Sequence, residues 1–181
     1  MSVIVITGRS CSGKSSVQKE LIFIGTYKRG ITCTTRQRRP DEVDGVHYHF
    51  LSKAEFLKKI AEGCFAENSE YAGNLYGSLK KDLQGDDIKV LVLDSNGAFS
   101  VKEALGNNAI VVFLSVDRET AESAFRSRGD SEKVIKERLK EDETVFNDVS
   151  NFADVIIDNS GFKMSVSDVA NIIDTVAKSV F

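Results

Sequence analysis

The sequence contains no tryptophan, one proline and only three cysteines. A single proline, Pro40, leaves no material for a proline-rich linker. Cys11, Cys33 and Cys64 are odd in number and lack metal spacing, so they read as reduced thiols of a cytoplasmic protein. An excess of basic charge is also missing. Twenty-four Lys and Arg stand against 27 Asp and Glu, for a formal net charge of -3. That excludes a protein that coats a nucleic acid backbone, which needs a basic surface, but permits a local basic pocket. No apolar run approaches the roughly 20 residues needed to cross a bilayer. The opening MSVIVITG has no basic region ahead of a long apolar stretch, so no signal peptide is expected. Internal repeats, low-complexity segments and a linker between independent domains are absent too.

What remains fits one soluble domain. The chain has 181 residues, 41% hydrophobic and 28% charged, enough for a sizeable core. Short apolar runs are continuous rather than alternating: Val3 to Ile6, Val90 to Leu93, Ile110 to Leu114 and Val155 to Ile157. Runs of this kind suit strands buried on both faces of a parallel sheet. Helical stripes lie between them. Val17, Leu21 and Ile24 share one face; Ala98, Val101 and Leu105 another; Ile135, Leu139 and Phe146 a third. The clearest runs from Val166 through Val169, Ala170, Ile173 and Val176 to Ala177. The alternation predicts an α/β fold, a parallel sheet with helices on both faces. From about Thr34 the rhythm breaks, and residues richer in Gly, Arg, Tyr and acids follow. The expected division is a core of 1–33 and 79–181, an inserted lobe at about 34–78, and a lid at about 126–138.

The first strand runs into Gly8-Arg9-Ser10-Cys11-Ser12-Gly13-Lys14-Ser15, with Ser16 beginning the helix beyond. This is G-x-x-x-x-G-K-[ST] between strand and helix, a phosphate-binding P-loop. Gly8 and Gly13 allow a tight turn and close approach to phosphate. Successive backbone N–H groups and the helix N-terminus cradle an anion. Lys14 supplies a point charge to the outer phosphates, and the Ser15 hydroxyl can ligate Mg²⁺ carried by the nucleotide. By itself the loop points to a nucleoside triphosphate with Mg²⁺, bound by Gly8 to Ser16.

Further on come Thr32-Cys33-Thr34-Thr35-Arg36-Gln37-Arg38-Arg39-Pro40-Asp41-Glu42 and Gly45-Val46-His47-Tyr48-His49-Phe50. Glu67 follows, and then Gly73-Asn74-Leu75-Tyr76-Gly77-Ser78. In order and kind these resemble the motifs of the guanylate kinase family, from about Val3 to Asn159. The resemblance implies a P-loop NTPase-like core with an inserted nucleoside-monophosphate lobe and a lid. It also implies ATP:GMP phosphotransfer with Mg²⁺, by direct in-line transfer. Arg36, Arg39, Tyr48 and Tyr76 match residues that hold the phosphate of GMP, Glu67 the glutamate that reads guanine, and Thr32 and Ser78 hydroxyls beside the base. The chemistry agrees: guanine presents two donors, N1–H and N2–H, to a carboxylate, whereas adenine has no hydrogen on N1. Arg offers a planar fork to phosphate oxygens. Taken singly, the arginines also read as a solvated basic run and the tyrosines as core aromatics.

Phe125 to Leu139 resembles the family's lid, in which Arg128 and Arg138 match arginines that close over the triphosphate, with Gly129 as a pivot. With Lys14 and Arg39 they form the catalytic set that the resemblance implies. The helix body reads as a salt-bridged surface, with Glu132, Lys136, Glu137 and Lys140 spaced for i, i+4 pairs. Asp94, after a core strand, reads equally as a site acid toward Mg²⁺ or acceptor and as a turn residue. His47 and His49 read as surface residues. The chain departs from the family pattern at Arg38, Asp41 and Ala124. It also lacks a second acid in Asp94-Ser95-Asn96-Gly97, which reads as a small deletion and leaves dGMP, IMP or another acceptor open. A catalytically inactive binding module is the other alternative. The implied partners are small-molecule substrates, with no nucleic acid or membrane, and the chain is expected as monomer or homodimer.

Overall fold

A computed structural model describes residues 2–71, 73–146 and 148–181. Its larger sheet has five strands, all parallel, in the order β2-β7-β1-β8-β9. They are β1 (Val3–Gly8), β2 (Lys28–Arg29), β7 (Lys89–Val92), β8 (Ala109–Ser115) and β9 (Val155–Asp158). Two-sided burial explains the runs in β1, β7 and β8; the run Val155 to Ile157, expected to be buried on both faces, is the edge strand β9, and its Ile156 is exposed because no neighbouring strand or helix covers it. On one face Ile4, Ile6, Val90, Ile110 and Val112 pack under α1 (Lys14–Phe23) and α7 (Val166–Val180). On the other, Val3, Val5, Leu91 and Val111 pack under α4 (Ser95–Leu105). The sheet is thus covered on both sides, as a parallel sheet requires.

The second sheet has four strands in the order β4-β3-β6-β5: β3 (Thr32–Thr34), β4 (Tyr48–Phe50), β5 (Phe65–Tyr71) and β6 (Asn74–Leu79). β3 pairs parallel to β4, and the other two pairings are antiparallel. Along β5, Glu67, Ser69 and Tyr71 point to one side, and a bulge between Phe65 and Glu67 puts Phe65 on the other, with Cys33, Phe56 and Leu79. Helix α2 (Lys53–Ala61) starts on a capping box between Ser52 and Glu55 and buries Phe56 on Phe65, ring centres 4.5 Å apart. The short α3 (Lys80–Leu83) leads back to the large sheet.

Two helices follow β8. Asp117 caps α5 (Arg118–Ser127) and Ser131 caps α6 (Glu132–Val145). They pack on each other through Ala121, Phe125, Ile135 and Leu139.

Three other expectations need correction. Ile24 is exposed, because α1 stops at Phe23 and Ile24 is its C-cap; Gln18 is buried instead and donates to the Val90 carbonyl. His47 and His49 are half-buried. His47 Nδ1 accepts from Val43 N, and His49 Nε2 lies 3.2 Å from Asp82 Oδ2. On α6, Glu132 pairs with Arg126 at 2.9 Å, so the ion pair reaches back to α5.

Candidate active site

The P-loop leaves the carboxyl end of β1, the middle strand of the large sheet, where ligands of open α/β sheets bind. A side chain at Gly8 would run into the Leu114 carbonyl oxygen on β8, so the turn tolerates only glycine. Lys14 Nζ donates to the carbonyls of Gly8 and Arg9, at 2.8 and 2.6 Å, and folds back over its own loop. Burial lowers its pKa to about 8, while the nearby Asp142 carboxylate pulls the other way. An incoming phosphate would replace the carbonyl partners and favour the charged amine. Cys11 sits half-buried in the loop with φ 61°, and burial pushes its thiol up. It is therefore not an activated thiolate.

On the lobe side, Arg36 Nη2 donates to Glu42 Oε1 at 2.6 Å, and Arg39 N donates to Glu42 Oε2 at 2.8 Å. Burial works against the Glu42 charge, but these bonds prevail and hold its carboxyl low. The Arg36 guanidinium also lies 5.5 Å from the Tyr48 ring centre, and Tyr48 meets Tyr76 edge to face at 6.4 Å. Glu42 thus fixes the direction of the Arg36 guanidinium.

Deeper in, Ser78 Oγ donates to Glu67 Oε1 at 2.6 Å, and Glu67 is 4% exposed. Its other oxygen, Oε2, is buried without a partner. Burial raises the Glu67 carboxyl to about 7, against the Ser78 hydrogen bond and with help from Asp94. A β-carbon at Gly97 would come within 3.0 Å of Oε2, so the missing side chain there keeps space beside the carboxylate. Asp94 is both a helix cap and a wall residue. It caps α4, its Oδ1 accepting from Gly97 N at 2.9 Å, and it stands on the cavity wall, its Oδ2 accepting from Ser69 Oγ at 2.6 Å.

Arg128, at the end of α5, and Arg138, in α6, come from the other side. Arg128 pairs with Asp130 at 2.7 Å and lies over the Phe125 ring. Arg138 lies over the Tyr71 ring, 5.4 Å from its centre. One cavity of about 450 Å³ gathers nearly all of these groups. Gly8, Ser10, Cys11, Ser12, Gly13, Lys14, Ser15 and Ser16 line one part of it. Thr32, Arg36, Arg39, Tyr48, Tyr76 and Asp94 line another, and Arg128 and Arg138 close it. Three expected residues are off its wall. Arg9 offers its carbonyl to Lys14 instead, and Glu67 and Ser78 are buried behind the wall, bonded to each other.

A family model for guanylate kinase matches residues 1–176. The guanylate kinase of Chlorobaculum tepidum is 34% identical across 98% of this chain and 91% of its own length. That of Rickettsia bellii is 34% identical across 94% of this chain and 92% of its own. The chain belongs to the guanylate kinase family. Its fold matches the crystal structure of guanylate kinase from Anaplasma phagocytophilum with a TM-score of 0.77, at 22% identity, over 98% of this chain and 85% of that one.

Within this family member the sequence reading missed four groups. Tyr71 lines the cavity and Ser69 bonds to Asp94 on its wall, four and two residues beyond Glu67, a strand spacing that was there to be read. Glu42 sits three residues after Arg39. Asp142 sits one helical turn after Arg138. A second cavity of about 480 Å³ opens behind the loop, between Ser12, Gly13 and the Asn159–Met164 turn. That turn is built on Asn159, which exchanges hydrogen bonds with the Met164 backbone. Among the described residues no three His, Cys, Asp or Glu side chains gather to hold a metal ion.

Proposed function

We propose that this chain transfers the γ-phosphoryl group of ATP to GMP, giving ADP and GDP by direct in-line transfer. The observation that carries the acceptor is the unpartnered Oε2 of buried Glu67, with its neighbour Oε1 already held by Ser78. A buried acceptor without a donor is costly, and guanine N1–H and N2–H supply donors where adenine N1 has none. Thr32 and Asp94, on the wall before Glu67, would stand beside the base. Arg36, Arg39, Tyr48 and Tyr76 would take the GMP phosphate. The P-loop from Gly8 to Ser16 would hold the triphosphate, and the adenosine end would reach toward the second cavity.

Lys14, Arg39, Arg128 and Arg138 would offset charge on the transferring group, the main task of a phosphotransferase. Mg²⁺ fits this site as a companion of ATP. The exposed Ser15 hydroxyl on the cavity wall is a hard oxygen donor, and the absence of an acid cluster among the described residues leaves the other ligands to phosphate and water. When bound, the ion would neutralise phosphate charge. No observation favours an inactive binding module, since Lys14 and both lid arginines share one cavity.

The test follows ADP formation with ATP and Mg²⁺ against GMP, dGMP, IMP, AMP, CMP, UMP and TMP. Turnover with GMP and little with AMP is the expected result. Equal turnover with AMP would overturn the acceptor assignment.

A further inference from the structure

Asp142 places a carboxyl group 1% exposed on the inner face of α6, and none of the roles given above uses it. Its carboxylate joins three parts of the molecule. Oδ2 accepts from the P-loop amide of Ser10 at 2.7 Å. Oδ1 accepts from Tyr71 Oη, at the end of β5 in the second sheet, at 2.8 Å. Ser10 Oγ closes the ring, 3.3 Å from both Asp142 Oδ1 and Tyr71 Oη. The Tyr71 ring in turn carries the Arg138 guanidinium, which comes from α6 one turn before Asp142.

We propose that Asp142 and Tyr71 are positioning residues that fasten the acceptor lobe to the phosphate loop and hold Arg138 over the cavity; this rests on the phosphotransfer reading above.

The physical need is specific. Donor and acceptor come from separate elements, and in-line transfer requires reacting atoms held about 3 Å apart in one orientation. Tyr71 lies on the strand that carries Glu67, and Ser10 lies in the loop that would carry ATP. A bond network between them sets the separation of the two substrates. The network is built to persist: burial and the Asp142 charge both raise the Tyr71 phenol, so it remains a donor throughout the working pH range. A buried carboxylate with three protein donors is also costly to expose, which makes opening of this joint a discrete event rather than a drift.

The experiment compares Tyr71→Phe, Asp142→Asn and the double variant in the full chain, with ATP saturating. Melting temperature is measured in parallel. Tyr71→Phe keeps the ring under Arg138 and removes only the hydroxyl. It is expected to lower kcat about tenfold, the effect of one hydrogen bond to a charged group, with its melting temperature close to that of the parent. Because both variants break the same link, the double variant should lose little more than Asp142→Asn alone. Tyr71→Leu, which also removes the ring, should lose more than Tyr71→Phe. The proposal is overturned by a Tyr71→Phe kcat within twofold of the parent, by single losses that multiply in the double variant, or by losses seen in melting temperature alone. A parent enzyme that fails to phosphorylate GMP would instead refute the functional reading, so the two failures are distinguishable.

Discussion

Glu67 shows how burial sets chemistry at a single residue. Its carboxyl is raised to about 7, whereas the unfolded chain would ionise it near 4.5. The folded state therefore binds the proton more tightly. This favours folding below pH 4.5, and the advantage is lost as pH rises from 4.5 through 7. Ligand binding has the opposite sign, because a carboxylate that accepts two guanine donors must be ionised. With a pKa of about 7 the ionised fraction rises roughly tenfold from pH 6 to pH 8. GMP affinity, measured by calorimetry, is expected to tighten by a similar factor over that span in the parent. In Glu67→Gln it should be weaker throughout, retaining only the part of the change that comes from the GMP phosphate. Identical pH profiles for the two proteins would remove Glu67 from the base site.

At the scale of the element, the joint between α4 and β5 is narrow. Gly97→Ala would push a methyl group to within 3.0 Å of Glu67 Oε2. The GMP KM is expected to rise about tenfold or more, the cost of displacing one buried hydrogen bond to a charged group, with the ATP KM unchanged. Equal effects on both substrates would point to general damage of α4. The lobe has its own core around Cys33, Phe56, Phe65 and Leu79. Phe56→Ala removes the stacked ring and should cost about 3–5 kcal/mol in urea unfolding. Elements were legible where burial imposes a pattern. The runs in β1, β7 and β8 announced their strands because both faces are covered, β9 carried the same apolar run although it is an edge strand with Ile156 exposed, and α7 announced itself by its stripe. The strand β2 did not: it has two residues, both charged, and is defined only by pairing with β7. The stripe placed Ile24 in the core because periodicity does not mark where a helix stops.

At the scale of the whole molecule, four separate stretches of chain converge on one cavity at the carboxyl end of the parallel sheet. The site was legible to the extent that its motifs are local in sequence: the loop from Gly8 to Ser16, the arginines near Pro40, and the segment ending at Ser78. Contacts between distant residues carried no such mark. Tyr71 and Asp142 are 71 positions apart, and nothing in either neighbourhood predicts that they meet. Nor did the sequence indicate that Glu67 and Ser78 would bond to each other behind the wall. The central claim is that one buried carboxylate chooses the acceptor for a P-loop phosphotransferase. Its most direct test is the ratio of kcat/KM for GMP to that for AMP, in the parent and in Glu67→Gln. The account predicts a parent ratio on the order of 10⁴, as for sites that leave a buried polar group unpaired with the wrong substrate, and a collapse of that ratio in the variant. A parent ratio near one, or a ratio unchanged by Glu67→Gln, would contradict it.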